Sequence, residues 1–254
     1  MTSFKNIEFD FSGKRFLVVG ASSGIGAAVT AALLSAGAVV LGLSRHMQAG
    51  REKLLEICDG ETAQERLITA DADATKGTAV EDAVAAFVQK QGQLDGLVYC
   101  AGQASLAPLR VWSRQQYQET FDVNLWGAMA ALKTISKKKY SSPGASHVFL
   151  SSVSARRGQA GLAAYGASKA ALESLVRTAA VELAAKGQRV NSLCLGWVET
   201  PMTQEAQCLG AGGIVAPLGM GKPEDAAGMI LYLLSDAARW MTGASLIVDG
   251  GYLA

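Results

Sequence analysis

The chain has 254 residues with 23 Lys and Arg against 22 Asp and Glu, a formal net charge of +1, and 50% hydrophobic residues including few aromatics. Such a length supports one large core, 28 glycines point to a tightly packed α/β domain, and the balanced charge removes the electrostatic case for nucleic acid. Cys58, Cys100, Cys194 and Cys208 lack metal-type spacing, the N-terminus lacks a signal-peptide pattern, and no apolar run reaches membrane-span length, so a soluble, cytoplasmic, metal-free protein is expected.

The first predicted strand, RFLVVG (15–20), runs through ASS into GIG and a helix beginning near Gly24. A turn of this kind lets the backbone of Gly20, Ser22, Ser23, Gly24, Ile25 and Gly26 approach a pyrophosphate, and the helix N-terminus adds positive potential. Its G-x-x-x-G-x-G spacing also satisfies G-x-S-x-G, the hydrolase nucleophile elbow, with Ser22 as nucleophile. That reading needs a histidine base, and only His46 and His147 exist; little chain precedes the turn to build an oxyanion loop. A purely structural glycine turn also stays open.

The second strand, VVLGLS (39–44), ends on Ser44 and Arg45, where an NAD site would place an acidic residue against the ribose 2′-hydroxyl. A carboxylate would repel a 2′-phosphate and an arginine fork can bind it, so NADP(H) is expected over NAD(H). RLITAD (66–71) and GLVYCA (96–101) read as further strands. Between 113 and 140, Phe121, Leu125, Ala128, Met129, Leu132 and Ile135 fall on one helical stripe with Asn124 at its edge, and Lys137 to Lys139 read as a solvated helix end.

HVFLSS (147–152) is a strand ending on Ser152, and the helix over 163–185 puts Tyr165 and Lys169 one turn apart on one face. RVNSLCL (189–195) and SLIVDG (245–250) complete seven short strands alternating mostly with helices, which implies a parallel sheet covered on both faces. LGAGGIVAPLG (209–219) reads as a mobile loop. Nothing divides the chain into two domains.

The order of these motifs resembles one family, the short-chain dehydrogenases/reductases, from Lys14 to Tyr252. GASSGIG matches the glycine motif, Asp73 and Ala74 the pair beside the adenine, LDGLVYCAG the fourth strand and its NNAG turn, and FDVNLWG carries the family asparagine at Asn124. SSVSARRGQAGLAAYGASK matches the active-site block, and NSLCLGWVETPMT, GKPEDAA and TGASLIVDGG the sixth strand, a late helix and the closing strand. ETPMT and GKPEDAAGMILYLLSD are most similar to 3-oxoacyl-[acyl-carrier-protein] reductase-like enzymes, although sugar, alcohol and steroid dehydrogenases share these elements.

The resemblance implies one doubly wound Rossmann-type domain over 1–254, with a substrate loop around 201–221. It implies NADPH-dependent reduction of a small or acyl-carrier-bound ketone, with Ser152, Tyr165, Lys169 and Asn124 as the catalytic set. Cofactor contacts extend to Cys100, Ala101, Gly102, Val198 and Thr200, while Gln103, Ser154, Gln159 and Trp197 are expected around the substrate. A homotetramer or homodimer, built from the helices over 113–140 and 163–185 and the C-terminal strand, is implied too. In place of Asn-Asn-Ala-Gly the chain has Tyr99, Cys100, Ala101 and Gly102, and in place of Pro-Gly it has Leu195 and Gly196.

Ketone reduction leaves an alkoxide that must be protonated, so a phenol near pKa 10 has to fall by roughly three units, about 4 kcal/mol, to exchange protons near neutrality. An ammonium about 5 Å away supplies roughly 3 kcal/mol at an effective dielectric near 20. Lys169 is therefore expected to depress Tyr165, and the resemblance implies that it also binds the nicotinamide ribose and shares a proton relay with a water held by Asn124.

Overall fold

The computed structural model describes residues 7–58, 61–208 and 216–254. Strands β1 (Arg15–Val19), β2 (Val39–Ser44), β3 (Leu67–Asp71), β4 (Leu94–Tyr99), β5 (Ser141–Ser152), β6 (Arg189–Leu195) and β7 (Ser245–Val248) form one parallel sheet in the order β3-β2-β1-β4-β5-β6-β7. Helices α1 (Gly24–Ser35), α2 (Met47–Ile57), α3 (Glu61–Arg66), α4 (Gly77–Gln91), α5 (Arg114–Phe121), α6 (Gly127–Ile135), α7 (Ala163–Leu183), α8 (Pro201–Cys208) and α9 (Pro223–Leu234) are the long connections.

Strand β1 is apolar on both sides, as burial on two faces requires. In β1, Phe16 and Val18 face a core with α1 and α9, whereas Leu17 and Val19 face a second core with α4, α6 and α7. The chain reverses its strand order between β1 and β4, and an open sheet leaves a crevice outside the carboxyl ends at such a point.

The stripe over 113–140 is interrupted by a π-turn, Asp122–Trp126, between α5 and α6. Its extra residue rotates the following turn, so Asn124, at the edge of an ideal 3.6-residue stripe, is fully buried. Residues 201–208, expected as the start of a loop, form α8 instead, with Pro201 at its first position and the Thr200 hydroxyl accepting from Thr203 N (3.3 Å). Residues 209–215 of the expected mobile loop lie outside the described residues. The closing strand stops at Val248, where the Asp249 carboxylate accepts from Gly251 N (2.9 Å) and Leu253 N (2.8 Å) to turn the chain.

The hydrolase alternative fails on backbone geometry. A nucleophile elbow is strained, yet no non-glycine residue among those described, Ser22 included, has positive φ. His147 is sealed in β5, its Nδ1 without a partner, and burial pushes its basicity down to about 4. No helix among the described residues is long and apolar enough to cross a membrane.

Candidate active site

The crevice at the carboxyl ends of β1 to β6 is a cavity of about 660 Å³. Its glycine wall is a steric necessity. Gly20 has φ +88°, and a Cβ there would lie 2.6 Å from Ala101 N; a Cβ on Gly26 would run into the Gly20 carbonyl oxygen. Ser23, at the N-cap of α1, makes no side-chain capping bond, so the first-turn N–H groups of α1 are left for an anion.

All of the residues expected around a dinucleotide line this cavity: the glycine turn, Ser44 and Arg45, Asp73 and Ala74, Cys100 to Gly102, Tyr165, Lys169, Val198 and Thr200. Asp73 is held as a carboxylate below its ordinary range, because its Oδ1 accepts from the Thr75 hydroxyl (2.7 Å) and N–H (3.0 Å). His46 and Leu150 also line the cavity and were not foreseen; His46 could have been, since it follows Arg45 directly.

Two departures from the family turn acquire a structural account. The Tyr99 phenol reaches across to the π-turn and donates to Val123 O (2.6 Å), and a Cβ on Gly127 would collide with that hydroxyl. A buried phenol thus ties β4 to the π-turn. Burial pushes the Cys100 thiol up to about 12, so the cavity floor carries a neutral thiol. At Gly196, N–H donates to Val248 O (3.0 Å), and a Cβ would sit 2.7 Å from Asp249 Cα, which explains a glycine after Leu195.

Ser152, Tyr165 and Lys169 meet where β5 and α7 converge, with the Ser152 hydroxyl close enough to temper the Tyr165 phenol. Lys169 Nζ stands 5.6 Å from the Tyr165 ring centre and donates to Leu150 O (2.8 Å). Burial pushes Lys169 down to about 8.

Tyr165 departs from expectation. Its pKa lies above the ordinary phenol value, because burial outweighs the influence of the Ser152 hydroxyl. Pairwise charge proximity omitted that desolvation cost, and in this chain alone the phenol keeps its proton.

Asn124 is held on three sides. Its Oδ1 accepts from Gln103 N (2.8 Å), and its Nδ2 donates to Gln103 O (2.9 Å) and Ser168 Oγ (2.9 Å), so both amide hydrogens are committed and one lone pair of Oδ1 stays open. What it does is lock the chain after Gly102 to α7 beside Lys169. Of the expected substrate residues, Ser154, Gln159 and Trp197 line a smaller compartment adjoining Ser152 and Tyr165, whereas Gln103 faces the large cavity.

Known proteins share this architecture. A family model described as enoyl-(acyl carrier protein) reductase matches residues 20–253. The D-threitol dehydrogenase of Mycolicibacterium smegmatis is 34% identical over 254 residues, covering 97% of this chain and 96% of that protein. The 3-oxoacyl-[acyl-carrier-protein] reductase of Thermotoga maritima is 34% identical over 244 residues, covering 94% and 97%. The crystal structure of a short-chain dehydrogenase/reductase of the glucose/ribitol dehydrogenase type from Brucella melitensis superposes with a TM-score of 0.88 at 31% identity, covering 97% of this chain and 99% of that one. Matches of this extent leave one assignment: the chain belongs to the short-chain dehydrogenase/reductase family, NAD(P)-dependent oxidoreductases acting on secondary alcohols and ketones.

Proposed function

We propose that the chain reduces a ketone to a secondary alcohol with NADPH, using Tyr165 as the general acid. The observation that carries this reading is the convergence of Ser152, Tyr165 and Lys169 at one end of a cavity whose other end holds Arg45. The residues fit a dinucleotide, since glycines let the turn pack tightly against the chain at Ala101 and the uncapped N-terminus of α1 lines the cavity. When bound, that group supplies the hydride.

The protein does the rest. Ser44 and Arg45 hold the 2′-phosphate, Asp73 and Ala74 flank the adenine, and Lys169 binds the ribose beside the nicotinamide. Ser152 donates to the ketone oxygen as negative charge develops there, and Tyr165 transfers its proton to that oxygen. A phenol kept protonated by burial is suited to the reductive direction, because the donor is loaded before the ketone arrives. Lys169 stabilises the phenolate left behind. A carrier-bound 3-oxoacyl substrate is the second reading, supported by the Thermotoga relative and the apolar part of the pocket wall, Val153, Leu162 and Trp197.

Cofactor choice rests on Arg45, which is solvent-exposed. Hydrogen bonds to charged groups contribute about 1.5 to 3 kcal/mol, and exposure argues for the lower end. Arg45→Ala should therefore weaken NADPH about tenfold in a binding titration while NADH changes little; equal losses for both would remove the assignment.

We further propose a homotetramer with two-fold axes. Trp126 on the π-turn, Val181 on α7 and Ile247 on the edge strand β7 are 57%, 79% and 48% exposed, on the elements expected to pack against copies of the chain. Light scattering should return four times the 26.4 kDa chain mass, and a concentration-independent monomer would refute this.

A further inference from the structure

The compartment beside Ser152 and Tyr165 has a volume of about 70 Å³, and one continuous hydrogen-bonded chain runs along it. Ser152 Oγ donates to Ser154 Oγ (3.3 Å), Ser154 Oγ donates to Gln159 Oε1 (2.5 Å), and Gln159 Nε2 donates to the Tyr252 hydroxyl (2.8 Å). The last link is anchored: Tyr252 is buried, Arg157 lies over its ring at 5.0 Å, and Arg157 Nη1 donates to its carbonyl (3.1 Å).

This arrangement decides what Ser154 can offer. In the orientation the structure gives, Gln159 Oε1 accepts the Ser154 proton while its Nε2 donates to Tyr252, so Ser154 faces Ser152 with lone pairs. When Ser152 turns its proton to a ketone oxygen, the acceptor position on Ser154 falls vacant. A substrate hydroxyl beside the carbonyl refills it, one hydrogen bond exchanged for another. A ketone without that hydroxyl, or with a second carbonyl in its place, leaves a half-buried acceptor unpaired.

We propose that Ser154, positioned by Gln159 and Tyr252, selects ketones that carry a hydroxyl on the neighbouring carbon, so that the product is a vicinal diol. The proposal rests on the ketone-reducing reading above and ranks 3-oxoacyl thioesters, which present a carbonyl there, below hydroxyketones. The step balances: the carbonyl carbon gains hydride from NADPH, its oxygen gains the Tyr165 proton, solvent reprotonates the phenolate, and the neighbouring hydroxyl only donates a hydrogen bond.

The test compares kcat/KM for 3-hydroxybutan-2-one with butan-2-one, and for 2-hydroxycyclohexanone with cyclohexanone, by NADPH oxidation. The parent should favour the hydroxylated member of each pair by about tenfold or more, the effect of one unpaired acceptor. Ser154→Ala should bring that ratio towards one, and Tyr252→Phe, which removes only the anchor of Gln159, should lower it in the same direction. A loss of general packing would depress both substrates and leave the ratio unmoved. Turnover of all four ketones with ratios near one in the parent, or a ratio unaffected by Ser154→Ala, overturns the selection proposal alone; no turnover of any of them overturns the ketone-reducing reading as well.

Discussion

Tyr165→Phe should fold, bind NADPH with nearly the parent affinity, and lose at least about 10³-fold in ketone reduction. The substitution keeps the ring and deletes one hydroxyl, so the packing of α7 against β5 changes little. The ketone oxygen, however, loses its proton donor at the moment negative charge develops. General acid catalysis accounts for about 10² to 10⁴ in rate, and the phenol also stabilises the developing alkoxide, so the upper part of that range applies. Ser152 keeps Ser154 as a partner, which limits structural damage. Retention of more than a tenth of the parent rate would remove Tyr165 from the acid role.

Lys169→Ala should lose both rate and affinity, and it should change the pH profile. Its ammonium is assigned to the ribose as well as to the phenolate, so NADPH binding should weaken about tenfold or more, as for other hydrogen bonds from a charged donor. Burial lowers the Lys169 pKa to about 8, so its charge is present below that pH and lost as pH rises through it. The parent's kcat for reduction should therefore fall above about pH 8, at a limit of tenfold per unit, with the bound cofactor's phosphates moving the limb upward. Steady-state profiles of parent and variant decide this: the limb belongs to Lys169 only if the variant lacks it.

What the sequence showed was local. The β-branched runs, the glycine turn and the four-residue spacing of Tyr165 and Lys169 are each set by neighbours within a turn or two, and the seven-stranded parallel sheet follows from their alternation. What escaped it depends on tertiary approach. The Tyr99 hydroxyl meets Val123 O across 24 residues, and Gln159 meets Tyr252 across 93; no periodicity announces either bond. The π-turn shifts the helical phase by one residue, so a regular stripe could place Asn124 only at an edge. In the chain alone burial holds the Tyr165 pKa up, and a pairwise charge argument contains no measure of burial. The α8 start was within reach, since Thr200 followed by Pro201 is a helix opening, but the surrounding loop-like composition outweighed it.

The central claim is that this chain delivers a hydride to a ketone carbon and a proton to its oxygen. Its most direct test is product analysis after reaction of the parent with a ketone and NADPH deuterated at C4 on the transferred face. The account predicts one deuterium per secondary alcohol on the carbinol carbon, one NADPH consumed per alcohol formed, and both signals lost in Tyr165→Phe. NADPH bound but not consumed across a ketone panel, or consumed without deuterium reaching the carbinol carbon, would contradict it.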